Sequence, residues 1–326
     1  MIPNYLPGKH ALPITLTSAS ENRSLLRRLV AKPEFGPFVL LFVEIFVLEL
    51  GLIALTMTLL MTSGEFDLSV GSVFGFAPVV MWTLYNSGTT SLEIAFLVAI
   101  FASGVIGLFN GVFVTRLKIP SFLVTLGMLL VVRGTALFVT SGFPQGTWST
   151  GDHWLATALV GDTYAGPFRL YMSLLWFVLA VLALGYLLTQ TKFGNWIQAT
   201  GGNPNAARAR GVNVDRTKVA LFMLSSMVAA FAGIISSIRT AAANPNSGAG
   251  YELEVIAMVV IGGTALAGGR GTIVGTLIGV LILRVMRNGI VLIGVPGLAY
   301  NIFIGGIILG MMALHSGLER RHQTGA

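Results

Sequence analysis

The fold turns on residues 37–86, "PFVLLFVEIFVLELGLIALTMTLLMTSGEFDLSVGSVFGFAPVVMWTLYN", where two apolar runs, 37–62 and 68–86, flank the polar interruption "SGEFD". A helix rises about 1.5 Å per residue and the hydrocarbon core of a bilayer is about 30 Å thick, so each run is near the ~20 residues that a crossing requires. Further runs of this kind lie at 92–115, 121–141, 169–188, 217–238, 252–268, 272–292 and 297–314. They are long and continuous, unlike the ~10-residue alternating segments of an outer-membrane barrel. The expected fold is all-α, a polytopic transmembrane helix bundle of about 9–10 spans with a helix broken near Asp67-Leu68-Ser69.

Composition points the same way. Of 326 residues, 54% are hydrophobic and 10% charged, against about 25% charged in an average soluble domain. The 20 Lys plus Arg and 13 Asp plus Glu cannot furnish the surface of a soluble domain of this length, so lipid is the expected outer solvent. A net charge of +7 would raise nucleic acid as a partner in a soluble protein. Here the basic residues gather in loops: Arg23, Arg27, Arg28 and Lys32; Arg116 and Lys118; Lys192, Arg208, Arg210, Arg216 and Lys218; Arg320 and Arg321. That is the positive-inside pattern, and without a basic patch interleaved with aromatics no nucleic acid is expected. The chain has no cysteine, which excludes disulfides, thiol nucleophiles and thiolate metal sites. The polar, proline-containing start lacks the order of a cleavable signal peptide.

Taking Arg116 and Lys118 as cytoplasmic puts 142–168 and 239–251 outside, and 189–216, Arg270 and the C-terminal basic residues inside. The expected organisation is a cytoplasmic tail over 1–36, a transmembrane region over 37–314 with a cytoplasmic loop at 189–216, and a cytoplasmic tail over 315–326. One conflict arises. A basic tail and "SGEFDLSVGS" (63–72) on the same side require an even number of crossings between them, and only one run, 37–62, is present.

Each motif carries an ordinary reading beside a functional one. Gly271, Gly275 and Gly279, like Gly107 and Gly111, recur every fourth residue and predict close helix packing. They do not form a nucleotide P-loop, since no Lys in the chain is followed by Ser or Thr. In "SGEFDLSVGS", Asp67 or Ser69 caps a helix, or the segment is a broken helix lining a route for solute; both readings hold together. Glu44, Glu49, Arg133, Arg284 and Arg287 lie in or near apolar runs, where buried charge is costly and long side chains snorkel; snorkelling is the expectation for the arginines. Asn110, Asn288 and Asn301 either bond between helices or face a polar solute. His10, His153, His315 and His322 show no metal-ligand spacing, and no catalytic constellation is present, so neither a metal site nor a catalytic residue is expected.

Four stretches in order, "SGEFDLSVGS" (63–72), "ATGGNPNAARARGVNV" (199–214), "NPNSGAGYELEVIAMVVIGGTALAGGRGTIVGTLIG" (244–279) and "RNGIVLIGVP" (287–296), resemble the membrane-spanning permease of ribose-type ABC sugar importers. The likeness runs from about residue 52 toward the C-terminal end. It implies a homodimer of about ten-helix subunits in the inner membrane, a periplasmic sugar-binding protein and a cytoplasmic ATPase subunit. ATP and Mg are used by that partner, and no cofactor is bound by this chain. The family's ATPase-coupling loop matches Gly201, Gly202, Asn203, Ala206, Ala207, Arg208, Gly211 and Asn213. The residues suit the role: Asn203-Pro204 starts a helix, "AARAR" sustains it and Gly211 stops it. Ala206 and Ala207 would allow close approach in a groove, and Arg208 and Arg210 would pair with acids on the partner. A solvated positive-inside loop is the ordinary reading of the same stretch.

The candidates for a translocation path or gate are Asp67, Ser69, Asn110, Tyr251, Glu252 and Asn288. The outside segment 244–254 serves as gate, as docking surface for the binding protein, or as a plain surface turn. At the N-terminus the chain departs from the family, which has two helices before the Asp-Leu-Ser motif where this sequence has one run. That leaves an N-terminus on the outer side, a shallow re-entrant hairpin, or a chain shortened there. Other functional classes are a permease for branched-chain amino acids or another small polar solute, an intramembrane transferase, whose paired acids are missing, and an ion-coupled carrier acting alone.

Overall fold

A computed structural model of the chain describes residues 48–146, 153–165 and 168–292, and positions 302, 303, 305, 306, 309 and 310. The expected tails, Glu44, Asn301 and most of the 297–314 run lie outside the described residues. The described helices are α1 (Leu48–Thr62), α2 (Val70–Asn86), α3 (Leu92–Arg116), α4 (Ser121–Thr140), α5 (Trp154–Val160), α6 (Met172–Gln190), α7 (Lys192–Gly202), α8 (Pro204–Ala209), α9 (Val214–Arg239), α10 (Tyr251–Ile261) and α11 (Ile273–Leu292).

A helix that is apolar on every side belongs in an interior, and α1, "LELGLIALTMTLLMT", is one: all its residues except Glu49 are buried. It packs against α6, α9, α10 and α11, while α9 also packs along α2 and α3, and α2 along α4. Outward, α3 presents Leu97 and Phe101, α4 Leu130 and Phe138, α6 Leu182 and α11 Val274. Such faces suit lipid, whose tails are as apolar as the side chains. Among the described helices, α3, α4, α6 and α9 are long and apolar enough to cross a membrane, and α1 is shorter.

The loops sort into two ends. At one, Gln145–Gly146 (β1) pairs antiparallel with Ala242–Ala243 (β4), Thr83 Oγ1 donates to Gln145 at 3.1 Å, and Trp154 Nε1 donates to Glu93 at 2.7 Å. A second antiparallel pair joins Asp162–Ala165 (β2) to Phe168–Tyr171 (β3). At the other end, the Gly269 N–H donates to the Thr62 carbonyl at 2.8 Å and the Phe66 N–H to Ser121 Oγ at 3.3 Å. Segments 63–67, 117–120, 191–213 and 262–272 thus form a basic end, opposite 87–91, 142–146 and 240–250, the grouping expected from the loop charges. Ion pairs tie both ends of α1 to α9: Glu49 with Arg239 at the distal end, and Glu65, just past α1, with Lys218 at the basic end. The described α1 therefore makes one passage from distal to basic end; what precedes Leu48 lies outside the described residues, and with it the crossing conflict.

Two expectations are corrected. The run 252–268 is not one helix: α10 has 11 residues, roughly 16 Å of helix, about half of a membrane core. Gly263 at φ +87° lies just beyond its end, and residues 264–272 return to the basic end as irregular chain packed on Thr62 and Gly201. Irregular backbone at this depth survives because protein covers it. Nor does Arg284 snorkel. Its side chain is 8% exposed and lies 3.7 Å from Glu254, which Arg287 also approaches at 3.7 Å.

Four of the five repeat glycines pack helices as their spacing predicts, whereas Gly271 falls before α11, in the irregular return, against Thr62 and Thr264. A Cβ on Gly107 would lie 2.6 Å from Met223 Cα, and one on Gly111 2.7 Å from Val219 Cα, so α3 and α9 meet backbone to backbone. Gly275 and Gly279 similarly seat α11 against Gly262 and Met258 of α10.

Gly107→Leu should lower stability in detergent by about 1–3 kcal/mol, read as a drop in unfolding midpoint, whereas Gly127→Leu, with open space around it, should leave the midpoint nearly unchanged. By the same measurement, Lys218→Met strands Glu65 and should cost on the order of 3 kcal/mol, more than the double variant Lys218→Met with Glu65→Gln. Because the chain has no cysteine, Ala206→Cys and Thr89→Cys can be labelled one at a time in sealed vesicles. A membrane-impermeant maleimide should reach them from opposite sides, and labelling of both from the same side would refute the two-ended arrangement.

Candidate functional site

The basic-end surface is built by capping. Thr191 Oγ1 accepts the Gly194 N–H at 3.1 Å and starts α7. Asn203, extended at φ −157°, caps α8: its Oδ1 accepts the Ala206 N–H at 3.0 Å, and Pro204 fills the first helical position. Gly211 at φ +83° closes the helix with its N–H on the Arg208 carbonyl at 2.9 Å. Asn213 Oδ1 then accepts the Arg216 N–H at 3.0 Å and starts α9. Three helices are joined with almost no slack, as "NPNAARARGVN" predicts.

Their exposed face carries Gly202, Asn205, Ala206, Ala209 and Arg210. Ala207 points inward and is buried at 3% exposure, so of the two alanines expected to approach a partner only Ala206 is presented. Arg208 is engaged with Asp215 of its own chain at 2.9 Å, so of the two arginines expected to meet a partner Arg210 is the one offered outward. Beside α8 opens a cavity of about 470 Å³ lined by Glu65, Lys118, Pro204, Arg208, Asp215 and Lys218.

This surface touches the interruption through backbone. Gly201 lies on Thr62, the last residue of α1, and a Cβ on it would sit 2.6 Å from Gly269 N. Gly268, at φ +84°, is packed so that a Cβ would sit 2.9 Å from Gly64 Cα and 3.1 Å from Gly201 Cα. The C-terminal end of α7, the return from α10 and the break after α1 form one joint.

Behind the joint, the expected path residues divide into two groups. Asp67 is fully buried, and its Oδ1 accepts from the Ser69 N–H at 2.9 Å and from Ser69 Oγ at 2.5 Å. Asn110 Nδ2 donates to Ser69 Oγ at 3.0 Å, tying α3 to the start of α2. Asp67 Oδ2, Asn110 Oδ1 and the hydroxyls of Ser72, Ser225 and Ser226 are buried without hydrogen-bond partners; Ser225 lies beside the Asp67 carboxylate without completing a bond to it. Tyr251 and Glu252 sit elsewhere, on the first turn of α10. Tyr251 meets Phe74 edge-on at 5.2 Å, and the Glu252 carboxylate presses on Gly71 of α2. Asn288 belongs to α11, and its side chain lies outside the described residues. Sequence reasoning passed over Ser225 and Ser226, whose polar pair within the apolar 217–238 run was the available signal, and Glu254, whose arginine partners are some thirty residues away in sequence.

The family described as the branched-chain amino acid transport system permease component matches residues 39–312. The chain is 36% identical over 267 residues to the ribose import permease protein of Escherichia coli strain K12, covering 81% of this chain and 80% of that one. It is 36% identical over 278 residues to the L-arabinose ABC transporter permease protein of Azospirillum brasilense, 85% of this chain and 79% of that one. With the xylose/arabinose import permease protein of Sulfolobus acidocaldarius, identity is 33% over 273 residues, 82% and 74% of the two chains. No solved structure matches. A match over most of the chain, together with the apolar crossing helices, makes this a multi-pass inner-membrane protein, and it belongs to the family of ABC-transporter permease components.

Proposed function

We propose that the chain is the membrane-spanning subunit of an importer that carries a monosaccharide inward, working as a homodimer with a cytoplasmic ATPase and a periplasmic sugar-binding protein. The observation that carries this is the capped α7–α8–α9 connection, which presents Gly202, Ala206 and Arg210 at the basic end and rests through Gly201 on the break after α1. A partner that changes shape on ATP binding and grips this surface moves three helices together. Through the Gly201, Gly64 and Gly268 contact the displacement reaches Asp67, Ser69 and Asn110, where a shift between two arrangements would open or close a route. Asn203, Gly211 and Asn213 keep the lever rigid, and Arg208 stiffens it through Asp215. ATP and Mg belong to the partner's chemistry. The three relatives named for ribose, arabinose and xylose favour a monosaccharide as cargo. The family's description favours a branched-chain amino acid as the second reading.

Reconstituted with its ATPase and binding protein, the wild type should take up at least one of labelled ribose, arabinose and xylose, and not labelled leucine; uptake of leucine alone would sink the monosaccharide reading. Ala206→Asp places added bulk and a negative charge on the gripping face, and it should cut ATP-driven uptake at least about tenfold, a loss of ~1.4 kcal/mol of coupling, with the variant present in the membrane at wild-type amount. Full uptake in Ala206→Asp would remove α8 from the coupling surface.

A further inference from the structure

We infer that Arg133 and Glu252 form a two-sided polar clamp for adjacent hydroxyls of the cargo, in the distal half of the bundle, an assignment that rests on the monosaccharide reading above. Arg133 lies on α4, two turns from its distal end, and Glu252 on the first turn of α10. Both helices pack against α2. Arg133 Nε and Nη2 are sealed from solvent and have no hydrogen-bond partner, and Glu252 Oε2 is in the same condition.

The Glu252 side chain is aimed by its surroundings. Its Oε1 accepts the Gly250 N–H at 3.2 Å, and its carboxylate lies against Gly71, so that a Cβ on that glycine would sit 3.4 Å from Glu252 Cδ. Arg133 is within electrostatic reach of it, yet the two make no ion pair. Arg284 and Arg287 each lie 3.7 Å from the Glu254 carboxylate, although Arg284 Nε makes no hydrogen bond. Among the described residues neither Arg133 nor Glu252 has an ion-pair partner, and the two carry opposite charge.

An unpaired charge at membrane depth costs several kcal/mol or more and is retained where it has work to do, and each buried orphan calls for a partner. The missing partner must accept from a guanidinium fork on one side and donate to a carboxylate on the other, and must bring no net charge, since the two side chains already cancel. A pair of neighbouring hydroxyls does this, each being donor and acceptor at once. Apolar solutes satisfy neither group.

The test uses the reconstituted complex with binding protein saturated by whichever of ribose, arabinose and xylose the wild type carries, or by the 2-deoxy form of that sugar. Arg133→Gln and Glu252→Gln should each lower uptake about tenfold and flatten the preference for the parent sugar over its deoxy form, a readout that a packing role would not move. The exchanged variant, Arg133→Glu with Glu252→Arg, should stay low. Recovery in the exchange would overturn the clamp in favour of a plain ion-pair lock, and an unchanged parent-to-deoxy preference would overturn it outright. Should the Gln variants fail to assemble, Arg133→Lys and Glu252→Asp keep both charges and move the contact atoms, and an unaltered preference in them counts against the clamp. A wild type that carries leucine and no pentose defeats the monosaccharide reading and the hydroxyl assignment together, whereas pentose uptake with unaffected variants defeats the clamp alone.

Discussion

A helix interrupted inside a membrane must find partners for every amide it frees, because lipid offers none. Between α1 and α2, over residues 63–69, partners come from the local backbone and from two side chains. The Gly64 and Glu65 amides turn back on the Met61 and Leu60 carbonyls at 2.9 and 3.2 Å, Phe66 is accepted by Ser121 at 3.3 Å and Ser69 by Asp67 at 2.9 Å. Ser121 and Asp67 therefore serve the backbone first: Asp67 accepts the Ser69 N–H just before α2, whereas the Ser69 hydroxyl expected to cap that helix makes no such bond. Satisfying the backbone this way uses one Asp67 oxygen and leaves the other, with Asn110 Oδ1 and three serine hydroxyls, unspent in the interior.

From this constraint the arrangement of the other helices follows. A break at the basic end needs cover, and the cover is supplied by Gly201 and by the irregular return from α10. That requirement explains why α10 stops at Ile261: a longer helix would leave no extended chain to lie on Thr62. It also places the outward-facing α8 one helix away from the break after α1, so that the exposed basic-end surface and the site of polar burial share a joint.

Much of this was legible in sequence because it was local. Asn203-Pro204 and Gly211 bracket α8 as helix punctuation requires, the four-residue glycine spacing marks faces that pack closely, and basic loops sort the ends. What escaped was what depends on elements distant in the chain. The run 252–268 reads as one span because Thr264–Ala267 prolong its apolar character past Gly262 and Gly263, and apolarity counts residues without asking whether they are helical. Arg284 reads as a snorkelling residue until α11 is laid beside Glu254 of α10. Ala207 and Ala206 are indistinguishable as letters, and only the pitch of a six-residue helix against α9 decides which faces inward. Arg133 and Glu252 stand some 120 positions apart, and nothing local advertises that α2 brings their helices together.

The joint at Gly64, Gly201 and Gly268 is made of main chain alone. A contact between side chains can be retuned by exchanging one group for a similar one; a contact between backbones has no such intermediate, and a single added methyl is already too large at Gly268. The polar side chains of the interior can thus be exchanged one group at a time, while the main-chain joint is held to an all-or-nothing standard of geometry.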